Sequence, residues 1–150
     1  MSRIRQTALV AGLVLAVAGA VALATLPSGA PSASAATSPR VALRLSFDDG
    51  QGKRSGARLT CGGSSASARG YLRSKPVTAC RKARRIARFL ASKPSDDRLC
   101  DQLYGGPAKA RIRGTIGSRT IDRRFSRGDG CEIADWDRAG ALLPEANFAP

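Results

Sequence analysis

An α+β domain, with an antiparallel sheet covered on one face, is the fold class that this sequence predicts. Several short segments alternate apolar and polar residues, which is the pattern of half-buried strands. Two other segments, separate in the chain, carry apolar residues at helical spacing. No internal repeat is visible, and strands combined with two separate helices favour an antiparallel sheet with its helices on one side.

The first two strands are predicted near the beginning of this domain. Apolar residues occupy every second position from Val41 to Phe47, with Ala, Arg and Ser between them. The run Asp-Asp-Gly-Gln-Gly at 48–52 is typical of a turn. A second strand is predicted over residues 57–61, followed by a loop rich in Gly, Ser and Ala over residues 62–69.

A basic amphipathic helix is predicted over residues 77–91. Pro76 lies near its first turn, where the fixed φ of proline is favourable. One stripe of the helix is apolar and consists of Ala79, Ala83, Ile86, Ala87 and Leu90. The outer face carries Arg81, Lys82, Arg84, Arg85 and Arg88.

The last part of the chain predicts a hairpin and a second helix. Residues 108–113 alternate small or apolar side chains with basic ones, and residues 114–118 are predicted to turn the chain into a fourth strand at 119–125. A short helix is predicted at about residues 131–139, with Gly140 as its stop.

Composition excludes several classes of enzyme. The chain contains no histidine, so it offers no Ser-His-Asp triad, no imidazole general base and no histidine-ligated zinc. Lys and Arg number 25 against 11 Asp and Glu, and the formal net charge is +14. Such a charge suits anionic partners or simply keeps a protein soluble. We expect a protein that is not an enzyme and has no cofactor and no metal.

Residues 1–35 have the three parts of a secretory signal peptide. Arg3 and Arg5 form a basic start, residues 8–26 form an uncharged apolar run, and Ala33-Ser34-Ala35 fits a cleavage site. A permanent transmembrane anchor is the alternative, because an uncharged run of this length can span a bilayer. The alanine-rich run and the cleavage site favour removal.

Cleavage after Ala35 or Ala36 would leave a short flexible leader at 36–40 and one domain at 41–150. We therefore expect an extracellular protein. All four cysteines lie in that domain, and an even count in a small exported domain indicates two disulfides. Three connectivities are possible. Free thiols are the alternative, and the spacing fits no zinc module.

The basic helix allows a binding function to be considered. Its arginines suit phosphate contacts, but no aromatic residues are interleaved with them and no nucleic-acid-binding motif is present, so we expect no nucleic-acid partner. A solvated helix face is the ordinary interpretation. A cationic binding or antimicrobial protein, acting through this face on anionic lipid, is the alternative function.

The segment around the third cysteine is the most informative. It reads Asp97-Arg98-Leu99-Cys100-Asp101-Gln102-Leu103-Tyr104-Gly105-Gly106-Pro107. One interpretation is an ordinary surface loop. The other is a preorganised peptide offered to a partner, since a tethered loop loses less conformational entropy when it binds.

This chain resembles the Streptomyces subtilisin inhibitor (SSI) family of secreted serine protease inhibitors. The resemblance covers roughly residues 42–148. It includes Ala42-Leu43-Arg44-Leu45, Leu59-Thr60-Cys61, Ala79-Cys80, the segment from Cys100 to Pro107, Phe125-Ser126-Arg127 and Asp129-Gly130-Cys131-Glu132-Ile133. The signal peptide and the spacing of the four cysteines agree with the same family.

The resemblance implies a five-stranded antiparallel sheet with two helices and disulfides Cys61–Cys80 and Cys100–Cys131. It also implies a substrate-like reactive loop for subtilisin-like endopeptidases, with Gln102–Leu103 as the scissile bond. The implied loop positions are Leu99 at P4, Cys100 at P3, Asp101 at P2, Gln102 at P1, Leu103 at P1′ and Tyr104 at P2′.

Two residues depart from the pattern of that family. Asp101 replaces the proline or threonine that is frequent at P2, and its charge would weaken inhibition or select an unusual protease. Family members commonly form dimers through the outward residue of the first strand, which is Arg44 here. Two arginines would then meet, and an unpaired buried charge is costly, so the expected homodimer is in doubt.

Overall fold

The computed structural model describes residues 38–95 and 97–145. Their backbone forms five strands, three α-helices and one 3-10 helix. The strands are β1 (Val41–Asp48), β2 (Arg54–Gly62), β3 (Ser65–Gly70), β4 (Lys109–Ile116) and β5 (Arg119–Phe125). The helices are α1 (Pro76–Arg85), α2 (Ala87–Ala91) and α3 (Gly130–Ala139), and the 3-10 helix is Gly140–Leu142.

All five strands belong to one antiparallel sheet in the order β3-β2-β1-β4-β5. The central strand β1 buries Val41, Leu43 and Leu45 and exposes the residues between them, because successive side chains of a strand point to opposite faces. The helices pack on the buried face. The predicted fold class, an α+β domain with a five-stranded antiparallel sheet and two disulfides, is therefore confirmed.

The core is closed by aromatic contacts and by one of the disulfides. Trp136 of α3 meets Phe47 edge-on, with ring centroids 6.1 Å apart. The Cys61–Cys80 disulfide joins β2 to α1 inside the core, where its cysteines are 1% and 3% exposed. Covalent closure of this kind suits a core with few aromatic residues.

The prediction of a loop over residues 62–69 was wrong, because Ser65–Gly70 is strand β3. Within the described residues, this edge strand pairs only with β2. Its small Ser and Ala residues carry little of the β-branched and aromatic character that marks a strand in a sequence. Pairing with β2, and not local preference, makes it a strand.

The prediction of one helix over residues 77–91 was also inaccurate. The helix is interrupted at Ile86, whose φ of −102° and ψ of 18° lie outside the helical values. Phe89, which lies off the predicted apolar stripe, is buried beside Phe125, with ring centroids 6.3 Å apart.

The predicted turn over residues 114–118 is shorter than expected, because β4 continues to Ile116. Gly114 has a φ of 136°, a conformation that favours glycine. A Cβ at this position would overlap the carbonyl oxygen of Ala42 in β1. The glycine that suggested a turn therefore serves a close approach between two strands.

The predicted signal peptide at 1–35 and its cleavage site lie outside the described residues and stay predictions. At the end of the predicted leader, the Pro39 carbonyl accepts a hydrogen bond from Arg84 Nε at 3.0 Å. The Arg40 carbonyl accepts one from the Gly117 N–H at 2.7 Å. Among residues 38–95 and 97–145, no helix is long and apolar enough to cross a membrane.

Candidate functional site

Large exposed apolar side chains are concentrated on one loop. Between α2 and β4 the chain forms neither helix nor strand at residues 98–107. Leu99, Leu103 and Tyr104 are 102%, 63% and 67% exposed, and Val77 is the one other large apolar residue so exposed in the described part of the chain. A soluble domain rarely groups such side chains outside a binding surface.

The first half of this loop is anchored to the beginning of α3. The Cys100–Cys131 disulfide brings the two Cα atoms to 5.3 Å. One residue further along the loop, the Asp101 carbonyl accepts a hydrogen bond from the Gly130 N–H at 2.9 Å. One covalent bond and one backbone bond therefore fix residues 100–101.

The second half of the loop is anchored to Arg127, which lies three residues before Gly130 in the chain. The Gly105 N–H donates to the Arg127 carbonyl at 2.8 Å, and Arg127 Nε donates to the Gly105 carbonyl at 2.8 Å. Gly105 also packs so closely that a Cβ there would lie 2.7 Å from Cγ1 of Ile133. The side chain of Arg127 lies over Trp136, 5.6 Å from the ring centroid.

Between these anchors the chain is exposed. Gln102, Leu103 and Tyr104 point to solvent, and none of them forms a hydrogen bond to the residues that the structure describes. Three accessible residues are thus held at both ends, and both sets of anchors lie within residues 127–131.

Local capping makes residues 127–131 a firm support. The Asp129 carboxylate caps α3 by accepting from the Glu132 N–H at 2.8 Å, and the Glu132 carboxylate accepts from the Gly128 N–H at 2.6 Å. This reciprocal arrangement is close to a capping box, which satisfies N–H groups that a helix start leaves free. Because the Asp129 carboxylate binds the Glu132 N–H, the N–H of Gly130, at the first position of α3, is left to donate to the loop.

A second connection holds the approach to the loop. Arg98 and the buried Arg123 both contact Oδ2 of Asp135, at 3.2 Å and 2.9 Å. Arg123 also donates to the carbonyls of Phe89 and Ser92, at 2.7 Å and 2.6 Å. Burial lowers the pKa of Arg123, and the Asp135 carboxylate opposes that shift, so the guanidinium stays charged.

Tyr104 forms part of the wall of a concave surface. The concavity has a volume of about 770 Å³, and Pro107, Arg127 and the Asp48–Arg54 ion pair also line it. The Gly50 N–H and the Arg54 guanidinium hold the pKa of Asp48 below its ordinary value. This surface therefore offers a partner both the ring of Tyr104 and the charges of Asp48, Arg54 and Arg127.

The sulfur atoms of Cys100 and Cys131 and the carboxylate of Asp129 lie within 4.8 Å of one another. This grouping does not offer metal ligands, because the two cysteines form a disulfide and metals bind the thiolate.

The structure brings the predicted loop residues and Cys131 together and places Cys61 and Cys80 apart from them, in the core. The six loop residues from Leu99 to Tyr104 form one continuous stretch, and the cysteines pair as the resemblance implies. Sequence reasoning missed the anchors Gly105, Arg127 and Gly130 and the buried Arg123. Phe125-Ser126-Arg127 and Asp129-Gly130-Cys131 carried the resemblance, but beyond the Cys100–Cys131 disulfide that pattern assigned them no contact with the loop.

Comparisons with known proteins give one structural similarity. No family model matches the chain, and no curated protein matches its sequence. The chain is similar in structure to Streptomyces caespitosus sermetstatin, which was crystallised in complex with Bacillus licheniformis subtilisin. The two are 16% identical, the match covers 67% of this chain and 96% of that one, and the TM-score is 0.38.

Proposed function

We propose that this protein is a secreted inhibitor of subtilisin-like serine endopeptidases and that residues 99–104 are its substrate-like loop. One observation carries the proposal. An exposed peptide is anchored on both sides of its centre to residues 127–131, by a disulfide and a backbone bond before it and by two hydrogen bonds after it. Proteases bind extended, accessible peptides, and a loop that is already ordered pays less entropy on binding.

The scissile bond in this proposal is Gln102–Leu103. It lies in the exposed centre, one residue after the Gly130–Asp101 bond and two residues before the Gly105–Arg127 pair. Gln102 would occupy the S1 pocket and Leu99 the apolar S4 pocket. Leu103 and Tyr104 would contact the leaving side, where a tyrosine is a frequent interface anchor.

The anchors explain how a substrate-like loop inhibits and is not consumed. The protease serine Oγ would bond to the carbonyl carbon of Gln102, and the C–N bond to Leu103 would break as the leaving amine takes a proton from the protease histidine. Both new ends would stay in place, because Asp101 and Gly105 are bound to the same support. Attack of the amine on the acyl-enzyme then reforms the peptide bond faster than water hydrolyses it, since held reactants have a high effective concentration.

Asp101 at P2 gives the proposal a specific electrostatic feature. Its side chain is exposed, while its backbone carbonyl is bound to Gly130. In the complex its charge would lie near the catalytic histidine of the protease. We expect enzymes with a basic or open S2 site to be inhibited more strongly than enzymes with a closed apolar one.

Titration of subtilisin and of trypsin with the purified protein tests the proposed function. We expect inhibition of subtilisin at a one-to-one ratio and weak or no inhibition of trypsin, because glutamine does not suit a pocket that selects Lys or Arg. Gln102→Lys should gain inhibition of trypsin and keep part of the activity against subtilisin.

The matched control is Gln51→Lys, which places the same cation at an exposed position in the β1–β2 turn. It should leave both inhibition constants unchanged. A protein that inhibits neither protease but permeabilises anionic vesicles would contradict the proposal and favour the cationic alternative.

A further inference from the structure

The open face of the sheet carries a row of arginines from four different strands. Arg44 of β1 lies opposite Arg58 of β2 on one side and Arg113 of β4 on the other. Arg58 in turn lies opposite Arg69 of β3, and Asp122 of β5 lies opposite Arg113. Directly paired residues of neighbouring strands point to the same face. The row is therefore Arg69-Arg58-Arg44-Arg113-Asp122.

A second pair of arginines extends the same face. Arg111 of β4 lies opposite Arg124 of β5. Asp122 binds Arg111 at 2.6 Å and Arg113 at 3.8 Å. The hydrogen bond from Arg111 holds the pKa of Asp122 below its ordinary value. The strands thus place two carboxylates on this face, Asp48 and Asp122, and both are already engaged, Asp48 by Arg54 at 2.9 Å.

Four arginines of this face remain without a carboxylate partner among the described residues: Arg44, Arg58, Arg69 and Arg124. All four are exposed. Like charges placed directly opposite each other destabilise a sheet. The row of arginines therefore lowers the stability of the isolated protein. A bound polyanion would relieve the repulsion between these arginines, whereas a second copy of the same face would increase it.

The chemistry of the face favours one kind of polyanion. Neighbouring strands lie about 4.8 Å apart, so four adjacent guanidinium groups can contact a chain of closely spaced anions. Arginine forks match phosphate oxygens. None of the outward-facing residues of the five strands is aromatic, so the face has no platform on which bases stack. It is also the face of a five-stranded sheet, which is broader than the α-helix or two-stranded ribbon that the major groove of duplex DNA admits.

We propose that the arginine row binds a linear, base-free phosphate polymer such as inorganic polyphosphate. The ligand lies across the strands, so that one polyphosphate chain contacts Arg69, Arg58, Arg44 and Arg113. This binding is independent of the proposed protease inhibition, because the row is on the outward face of the sheet and the loop is held by α3.

Binding of inorganic polyphosphate, measured by fluorescence anisotropy with a labelled chain of defined length, tests this inference. The sheet variant Arg44→Thr/Arg58→Thr/Arg69→Thr should bind at least tenfold more weakly than the unchanged protein. Threonine suits an outward strand position. The control Arg81→Gln/Arg85→Gln/Arg88→Gln removes the same charge from exposed helix positions and should bind within threefold of the unchanged protein.

Salt dependence gives a second readout. Contacts with four phosphates predict a slope of about −3 for the logarithm of the binding constant against the logarithm of salt concentration. The sheet variant should have a much shallower slope. If the triple variant does not fold, Arg44→Thr alone should still weaken binding and flatten the slope.

Three results would overturn the inference. The helix variant could lose as much affinity as the sheet variant, which would show a general effect of net charge. Single-stranded or duplex DNA, or vesicles of anionic lipid, could bind more tightly than polyphosphate at equal phosphate concentration. The sheet variant could also bind polyphosphate like the unchanged protein. The sheet variant should have the same inhibition constant for subtilisin as the unchanged protein, which separates this inference from the proposed function.

Discussion

The two disulfides of this protein are chemically alike and lie in different surroundings. Cys61–Cys80 is buried between β2 and α1, whereas Cys100–Cys131 is half-buried and joins an exposed loop to α3. Their sequence separations are 19 and 31 residues, so the chain-entropy model assigns each about 3–4 kcal/mol of stabilisation. The two disulfides can therefore contribute similarly to stability and still have different roles. Only the one that holds the exposed loop is placed to affect binding as well.

The largest expected effect comes from removing the disulfides one at a time. Cys100→Ala/Cys131→Ala should raise the inhibition constant for subtilisin at least 100-fold and make the protein a substrate, because residues 100–101 lose their covalent anchor. Cys61→Ala/Cys80→Ala should lower the free energy of unfolding by about 3 kcal/mol or more and leave inhibition by the folded protein within a few-fold.

Denaturant unfolding and subtilisin titration of both variants check this prediction. The comparison fails if removal of the core disulfide weakens inhibition by the folded protein more than removal of the loop disulfide does.

Gly105→Ala tests the second anchor without touching a disulfide. The new Cβ would meet Ile133 at 2.7 Å, which forces the loop away from Arg127, and we expect 10-fold to 100-fold weaker inhibition. Overpacking of this kind costs about 1–3 kcal/mol of stability. The control Gly62→Ala has its nearest contact at 3.7 Å and should change neither quantity much. Equal inhibition constants for the two variants would show that the close packing of Gly105 does not hold the loop for inhibition.

Leu99→Gly separates binding from stability on the exposed side of the loop. Leu99 is fully exposed in the free protein, so unfolding should be nearly unchanged. If the side chain enters the S4 pocket, its loss should weaken binding to subtilisin by about 1.5–3 kcal/mol. Val77→Gly removes another exposed apolar side chain, in α1, and should leave the inhibition constant unchanged. An equal effect of both substitutions would contradict the assignment of Leu99.

The smallest effect is expected on the basic helix. Arg81→Gln/Arg85→Gln changes exposed residues of α1, away from both anchors, and should leave the association rate and the inhibition constant within a few-fold. A large fall in the association rate, measured by stopped-flow at low salt, would show that this face steers the protease.

Sequence patterns predicted β1, the β4–β5 hairpin and α3 well, because each carries its own periodicity and turn residues. Strand β3 was missed because its Ser and Ala residues become a strand only through pairing with β2. The anchors of the loop were missed for a related reason. Asp129-Gly130 is recognisable as a turn, but the bond from its N–H to Asp101 exists only once the chain has folded.

The arginines of the sheet are a further case in which contacts made only in the folded chain cannot be predicted from the sequence. Each one is visible in the sequence, and Arg44 was identified as an outward residue of the first strand. That Arg58 and Arg113 lie on either side of it follows from strand order and register, which the sequence alone does not provide.

The most direct test of the central claim is to identify the bond that subtilisin cleaves. Prolonged incubation at a one-to-one ratio, followed by mass spectrometry without reduction and N-terminal sequencing after reduction, should show one slow cut with Leu103 as the new N-terminus. The two pieces should stay joined by Cys100–Cys131, and the cleaved protein should still inhibit. Rapid cleavage at several bonds, or a first cut outside Gln102–Leu103, would contradict the account.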